Sequence, residues 1–137
     1  MTTENLIAEA SINIKAPAAK VWDAFVNPSV IKQYMMGADV KSDWKKGSSI
    51  TWSGEIEGKP YKDEGEILDI IPEKRLEYSH TAGSNPSETH KVTVILDEKD
   101  GGTQVKLMQD NNANTKAKDA HQKNWNMMLE SLKKLLE

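Results

Sequence analysis

The feature that most limits what this chain can fold into is a run of period-two segments between Val40 and Asp110, joined by very short turns. In SSITWSGEIEG, Ile50, Trp52, Gly54 and Ile56 fall on one side and Ser49, Thr51, Ser53 and Glu55 on the other, as a strand with one buried face requires. EGKP turns the chain into YKDEGEILDII, where Gly65 is read as a candidate bulge and Tyr61 faces inward if the register holds. PEK makes the next turn; Leu76, Tyr78 and His80 then share a face, and a turn-rich GSNPS follows. In HKVTVILDE, His90, Val92, Val94 and Leu96 alternate with Lys91, Thr93, Ile95 and Asp97, and KDGG is a hairpin signal leading to Thr103, Val105 and Leu107. Parallel neighbours need a crossover of about a dozen residues or more, so these strands are expected to pair antiparallel.

The flanks supply one more strand and the helices. Leu6, Ala8, Ala10, Ile12 and Ile14 alternate along residues 6–14. The period then changes: APAAKVWDAFVNPSVIKQYMMG puts Pro17 where a first helical turn tolerates it, with Val21, Ala24 and Phe25 at spacings of three and four. Asn27 and Pro28 break that helix and are placed to cap and open a second short one, running through Tyr34 to Met36 and ended by Gly37. A last helix starting near Thr115 as its N-cap would run about 22 residues, roughly 33 Å. On it Ala117, His121, Trp125, Met128, Leu129, Leu132, Leu135 and Leu136 fall within an arc of about 120°, leaving Lys123, Glu130, Lys133 and Lys134 outside. The expectation is an α+β fold, residues 1–137 forming one domain with an antiparallel sheet of six to seven strands and helices on one face.

That terminal stripe is uneven. Its C-terminal half is dense with leucine, whereas its first two turns offer only Ala117 and His121, less than a close-packed core needs. Across the sheet the inward candidates are Trp52, Tyr78, His80 and Tyr61, whose polar tips need partners when buried. Aromatic and polar groups around an underfilled space describe a small-molecule pocket. The competing reading is an ordinary core, to which aromatic and methionine residues at helical spacing equally belong.

Several function classes are excluded or unsupported. The sequence has no cysteine, so disulfides, thiolate metal sites and thiol nucleophiles are excluded. A formal charge of −3, with both signs interspersed, advertises neither a nucleic-acid partner nor membrane insertion. MTTENLIAEA carries Glu4 and no apolar run, so no secretory signal is expected and the cytoplasm is the expected compartment. His80 and His121 are expected to reach one cavity, as acid and base or as ligand-orienting groups, with isolated structural histidines as the alternative; His90 is expected at the surface. The three histidines lack zinc-ligand spacing. Asp63, Glu64, Glu66 and Asp69 are expected to be solvated charges of an edge or outer face. Phosphate-loop, dinucleotide and serine-elbow patterns are missing, so no cofactor and no catalytic constellation is expected.

INIKAPAAKVWDAFVNPSVIKQYM, SDWKKGSSITWSGEIEGKPYKDEGEILDIIPEKRLEYSH and HQKNWNMMLESLKKLLE together resemble the START-like, or SRPBCC, superfamily. The branch they resemble is that of activator of heat-shock chaperone ATPase homologues, in its bacterial single-domain form. The resemblance spans nearly the whole chain and rests on the order of loose motifs: a P-x-x-x-V-W helix, a G-x-I-x-x-I-x-P-x-x-R-L strand pair and a terminal helix with tryptophan. YMMGADVKSDWKKGSS departs from it, lacking the arginine of the D-x-R-x-G-G turn that many relatives carry.

The resemblance implies a helix-grip fold: a curved antiparallel sheet wrapped around the long C-terminal helix, with two short helices after the first strand. It also implies a cavity between sheet and helix for a lipid, polyketide or flavonoid-like molecule. With the pattern above, this leads to the expectation of a monomeric, non-catalytic carrier or sensor. Trp52, Tyr78, Trp125 and Met128 would supply contact area; His80, His121 and Tyr61 would orient polar groups; Tyr34, Met35 and Trp44 would sit near the entrance. Two other classes remain open: a module that contacts a chaperone ATPase through its surface, and a cyclase or dehydratase using the same cavity.

Overall fold

The computed structural model describes residues 6–35, 37–83, 88–112 and 114–137. Outside the described residues lie Glu4 and the rest of 1–5, Met36 as the expected end of the second helix, residues 84–87 of the GSNPS turn, and the Ile56 side chain. In chain order the elements are β1 (Leu6–Ile14), α1 (Ala18–Val26), α2 (Pro28–Tyr34), β2 (Asp39–Ser42), β3 (Ser49–Ile56), β4 (Lys59–Ile71), β5 (Arg75–Thr81), β6 (Thr89–Lys99), β7 (Gly102–Asn112) and α3 (Thr115–Leu136). They form the expected α+β helix-grip architecture.

The seven strands make one sheet in the order β1-β7-β6-β5-β4-β3-β2, with every neighbouring pair antiparallel. Strands β2 to β7 are a meander because each connection is short. Two hairpins are tight: Glu57 and Gly58 join β3 to β4 with φ of 53° and 80°, and Asp100 and Gly101 join β6 to β7 with φ of 52° and 80°. Positive φ at both central residues matches the twist of the flanking strands. Helices α1 and α2 carry the chain from β1 at one edge to β2 at the other. Asn27 separates them, accepting the Ser29 N–H at 3.1 Å with Pro28 at the first helical position, as the sequence suggested.

Two local expectations are corrected. The bulge in β4 lies between Ile67 and Asp69, where the register with β5 slips, and not at Gly65. Gly65 stays in register opposite Ile50, and a Cβ there would fall 1.8 Å from the Ser79 carbonyl oxygen, so the glycine admits a neighbouring backbone. The cap of α3 is Asn114, whose side chain accepts the Ala117 N–H at 2.8 Å, and Thr115 is the first helical residue.

Helix α3 divides along its length. Leu129, Leu132 and Leu136 are buried against Ile14, Val21, Leu107 and the rest of the core. Leu135, expected in the stripe, is 38% exposed because it projects well to one side of the line those three residues define. Trp125 lies on that line, four residues before Leu129, yet is only partly buried. The helix backbone runs close to β1 and, less closely, to β7, α1 and α2, without a comparable approach to β3, β4, β5 or β6 among the described residues. The sheet therefore leaves space beneath the first turns of α3.

Candidate ligand-binding cavity

That space is a cavity of about 720 Å³ between the inner faces of β3 to β7 and the N-terminal half of α3. Its apolar wall is built by alternation: Trp52 comes from β3, Tyr78 from β5 and Val92 from β6, with Trp125 and Met128 from α3. The Trp52 and Tyr78 rings pack at 5.3 Å between centroids. Met127, 59% exposed, stands at the rim.

Nine of the ten residues expected to bind a ligand line this cavity: Tyr34, Met35, Trp52, Tyr61, Tyr78, His80, His121, Trp125 and Met128. Trp44 does not. Its backbone is left-handed, φ 54°, and its side chain borders a small adjoining gap of about 30 Å³ that it lines with Phe25, Val40 and Ile50 and that shares Trp52, Tyr78, Trp125 and Met128 with the cavity wall. Tyr34 is not an entrance residue either: it is buried, and its hydroxyl donates to the Ala24 carbonyl at 2.5 Å. Burial, with a smaller effect of Tyr78, pushes the Tyr34 hydroxyl far above its ordinary range.

The polar end contains groups that sequence reasoning assigned elsewhere. His90, expected at the surface, is 7% exposed and lines the cavity. Its Nδ1 donates to the Asp110 carbonyl at 2.7 Å, its Nε2 faces the Glu88 carboxylate at 3.1 Å, and its ring lies edge-on to His121 at 5.5 Å. Asp63, expected outside, faces inward: its carboxylate receives His80 Nε2–H at 3.0 Å and the Gly83 N–H at 3.0 Å. His80 in turn meets the Trp52 ring at 4.9 Å. The signal for both was parity, since Asp63 shares a strand face with Tyr61, and His90 with Val92. Gln109, two residues beyond Leu107, was missed in the same way.

Side-chain amides fix the remaining polar directions. Asn112 donates from Nδ2 to the carbonyls of Leu6 at 2.9 Å and Gln109 at 3.0 Å, so its Oδ1 accepts from His121 Nδ1 at 2.6 Å. His121 Nδ1 therefore carries the proton and Nε2 keeps its lone pair, without a partner among the described residues. Burial first, then His90 and His80, hold the His121 pKa below its usual value against the opposing pull of Glu88. Trp125 Nε1–H donates to Gln109 Oε1 at 2.5 Å, leaving the Gln109 NH₂ for other partners. The Tyr78 hydroxyl has no hydrogen-bond partner among the described residues, and burial holds it protonated far above its ordinary range. No fully buried side-chain polar atom is left unsatisfied there, so these groups open onto the cavity.

The described residues contain no cluster of three or more histidine or acidic side chains arranged to hold a metal ion. No helix among them is long and apolar enough to cross a membrane.

The sequence profile of the family described as Activator of Hsp90 ATPase homolog 1-like protein matches residues 15–137. Among solved structures, a protein from Cytophaga hutchinsonii is 45% identical and superposes with a TM-score of 0.86 over 99% of this chain and 96% of that one. A Mesorhizobium loti protein is 24% identical, with a TM-score of 0.78 over 95% and 96%. The Aha1 dimer from Colwellia psychrerythraea is 23% identical, with a TM-score of 0.77 over 96% of each chain. Among curated proteins no match was found.

Proposed function

The chain belongs to the Activator of Hsp90 ATPase homolog 1-like family, and from that premise we propose that it is a carrier or sensor enclosing a small, mostly apolar molecule between sheet and terminal helix. One observation carries this reading: a cleft of about 720 Å³, open to solvent along one side, lies between the inner face of the sheet and the N-terminal half of α3. Small-molecule sites typically measure about 300–1,000 Å³ and combine apolar walls with a few polar groups. A guest burying roughly 250 Å² of apolar surface would gain about 6 kcal/mol before the costs of association. Affinity thus comes from Trp52, Tyr78, Trp125 and Met128, and orientation from the histidine end. We place the protein in the cytoplasm and assign the cavity no bond-making step.

The test is release of bound small molecules from denatured protein, read by mass spectrometry, paired with amide-shift titration against lipids and aromatic polyketides. Shifts concentrated on the inner faces of β3, β5 and β6 and on the first half of α3 are expected, with the guest recovered chemically unchanged. Shifts confined to the exterior would sink the proposal. Conversion of the guest would favour the cyclase or dehydratase alternative. The family description favours a second reading, contact with a chaperone ATPase; there, surface charge reversal would abolish partner binding and no cavity ligand would compete.

A further inference from the structure

Charge and hydrogen-bond direction at the polar end of the cavity restrict the guest further. The described residues lining it include two carboxylates, Asp63 and Glu88, and neither lysine nor arginine. Each carboxylate already faces a histidine, Asp63 with His80 at 3.0 Å and Glu88 with His90 at 3.1 Å. A carboxylate or phosphate guest would therefore lose its water without meeting an unpaired cation, which is costly in a site of this kind. An ammonium guest would have to compete with the two histidines for the acids.

The neutral groups point the same way. His121 Nε2 is an acceptor, because Asn112 Oδ1 holds the proton on Nδ1 at 2.6 Å and Asn112 cannot turn without losing its bonds to the Leu6 and Gln109 carbonyls. The Gln109 NH₂ is a donor, because Trp125 occupies its oxygen. The Tyr78 hydroxyl, held protonated, is another. One lone pair and two donors lining the same cavity are matched by a guest hydroxyl, which gives one proton and accepts others. A methyl ether accepts but cannot give. A carboxylate would direct its oxygens at the His121 lone pair.

We propose that the guest is an uncharged molecule bearing a hydroxyl group, that His121 Nε2 is the acceptor reading that hydroxyl, and that the cavity discriminates against anionic analogues of the same shape. The proposal rests on the carrier reading above and adds a residue and a chemical class to it.

Four probes of similar shape test it by amide-shift titration of the full chain at neutral pH: 2-naphthol, 2-methoxynaphthalene, 2-naphthoate and 2-naphthylmethylammonium. The expected result is inner-face binding in which 2-naphthol exceeds each of the others by about tenfold, the worth of one well-placed hydrogen bond. In His121→Phe the preference over the methyl ether should fall to about unity while both still bind. On the unmodified protein, the imidazole nitrogen spectrum should show His121 protonated at Nδ1, with its Nε2 resonance moving when 2-naphthol is added; this decides the matter even where the variant fails to fold. Equal or tighter inner-face binding of the methyl ether, 2-naphthoate or the ammonium probe, or a His121 proton on Nε2, overturns the inference and leaves the carrier reading intact. Binding of none of the four at the inner face overturns the inference, and the carrier reading falls with it only if the lipids and polyketides also leave that face unshifted.

Discussion

Trp125 donates its indole N–H to the side-chain oxygen of Gln109 at 2.5 Å, joining α3 to β7 at the edge of the cavity. The bond holds the indole as a wall and occupies the Gln109 oxygen, leaving the NH₂ end of that amide to donate elsewhere. It also shows how a helix position in line with Leu129 and Leu132 can bear a polar-tipped ring: beneath it the sheet supplies a hydrogen-bond partner in place of close apolar packing.

Trp125→Phe keeps an aromatic ring and deletes the donor, leaving Gln109 Oε1 without its partner. A loss of about 1–2 kcal/mol in urea unfolding is expected, together with weaker guest binding. An unchanged midpoint with unchanged affinity would mean that the bond contributes to neither.

The two halves of α3 should respond differently to truncation. Leu132 is fully buried, so Leu132→Ala should cost about 2–5 kcal/mol. Met127 stands exposed at the rim, and Met127→Ala should change stability by less than about 0.5 kcal/mol. Comparable losses in a thermal or urea comparison would contradict the division of the helix into a packed half and a cavity half.

Gly65→Ala tests a close backbone approach between β4 and β5. Its Cβ would sit 1.8 Å from the Ser79 carbonyl oxygen, so β4 and β5 must separate locally, at a cost of about 2–4 kcal/mol. Weakened amide protection should appear first along the β4–β5 ladder. A neutral effect on unfolding would mean that the strands yield at that point.

His121 gives stability a pH dependence of known sign. Its pKa is lower in the folded protein than the ordinary 6.5, chiefly through burial, so just below that pH the unfolded chain binds more protons than the folded one. The stabilising difference is fully present above pH 6.5 and is lost as pH falls toward the depressed folded value. The titratable groups that act on His121 are His90 and Glu88 from the β6 side and His80 from β5. A stability profile measured between pH 5 and 7.5 should therefore flatten in His121→Gln relative to the parent protein; parallel profiles would refute the assignment.

Much of the fold was legible because it is written in local periods. Alternation located the strands, Asn27 and Pro28 marked the break between α1 and α2, and KDGG marked the β6–β7 turn, since each of these is decided by a few neighbouring residues. The site was legible only in part. Trp52, Tyr78, His80, His121 and Trp125 were placed correctly by face, but His90 and Asp63 were assigned outward on polarity although their parity said inward. Trp44 was assigned to the entrance through its neighbours in sequence, whereas it borders a small gap adjoining the cavity on the side of Phe25, Val40 and Ile50.

The sequence by itself determined the antiparallel pairing, the length of the last helix and the uneven filling of its buried stripe, because period, turn length and side-chain size are local properties. Tertiary structure alone decided that the helix leans on β1 and β7 and stands away from the middle of the sheet, and that Asn112, Gln109 and Asp63 fix the hydrogen-bond directions of the space left beneath it. Those partners lie 9 to 17 residues from the groups they orient, and the packing of distant elements, which no local period encodes, brings them together.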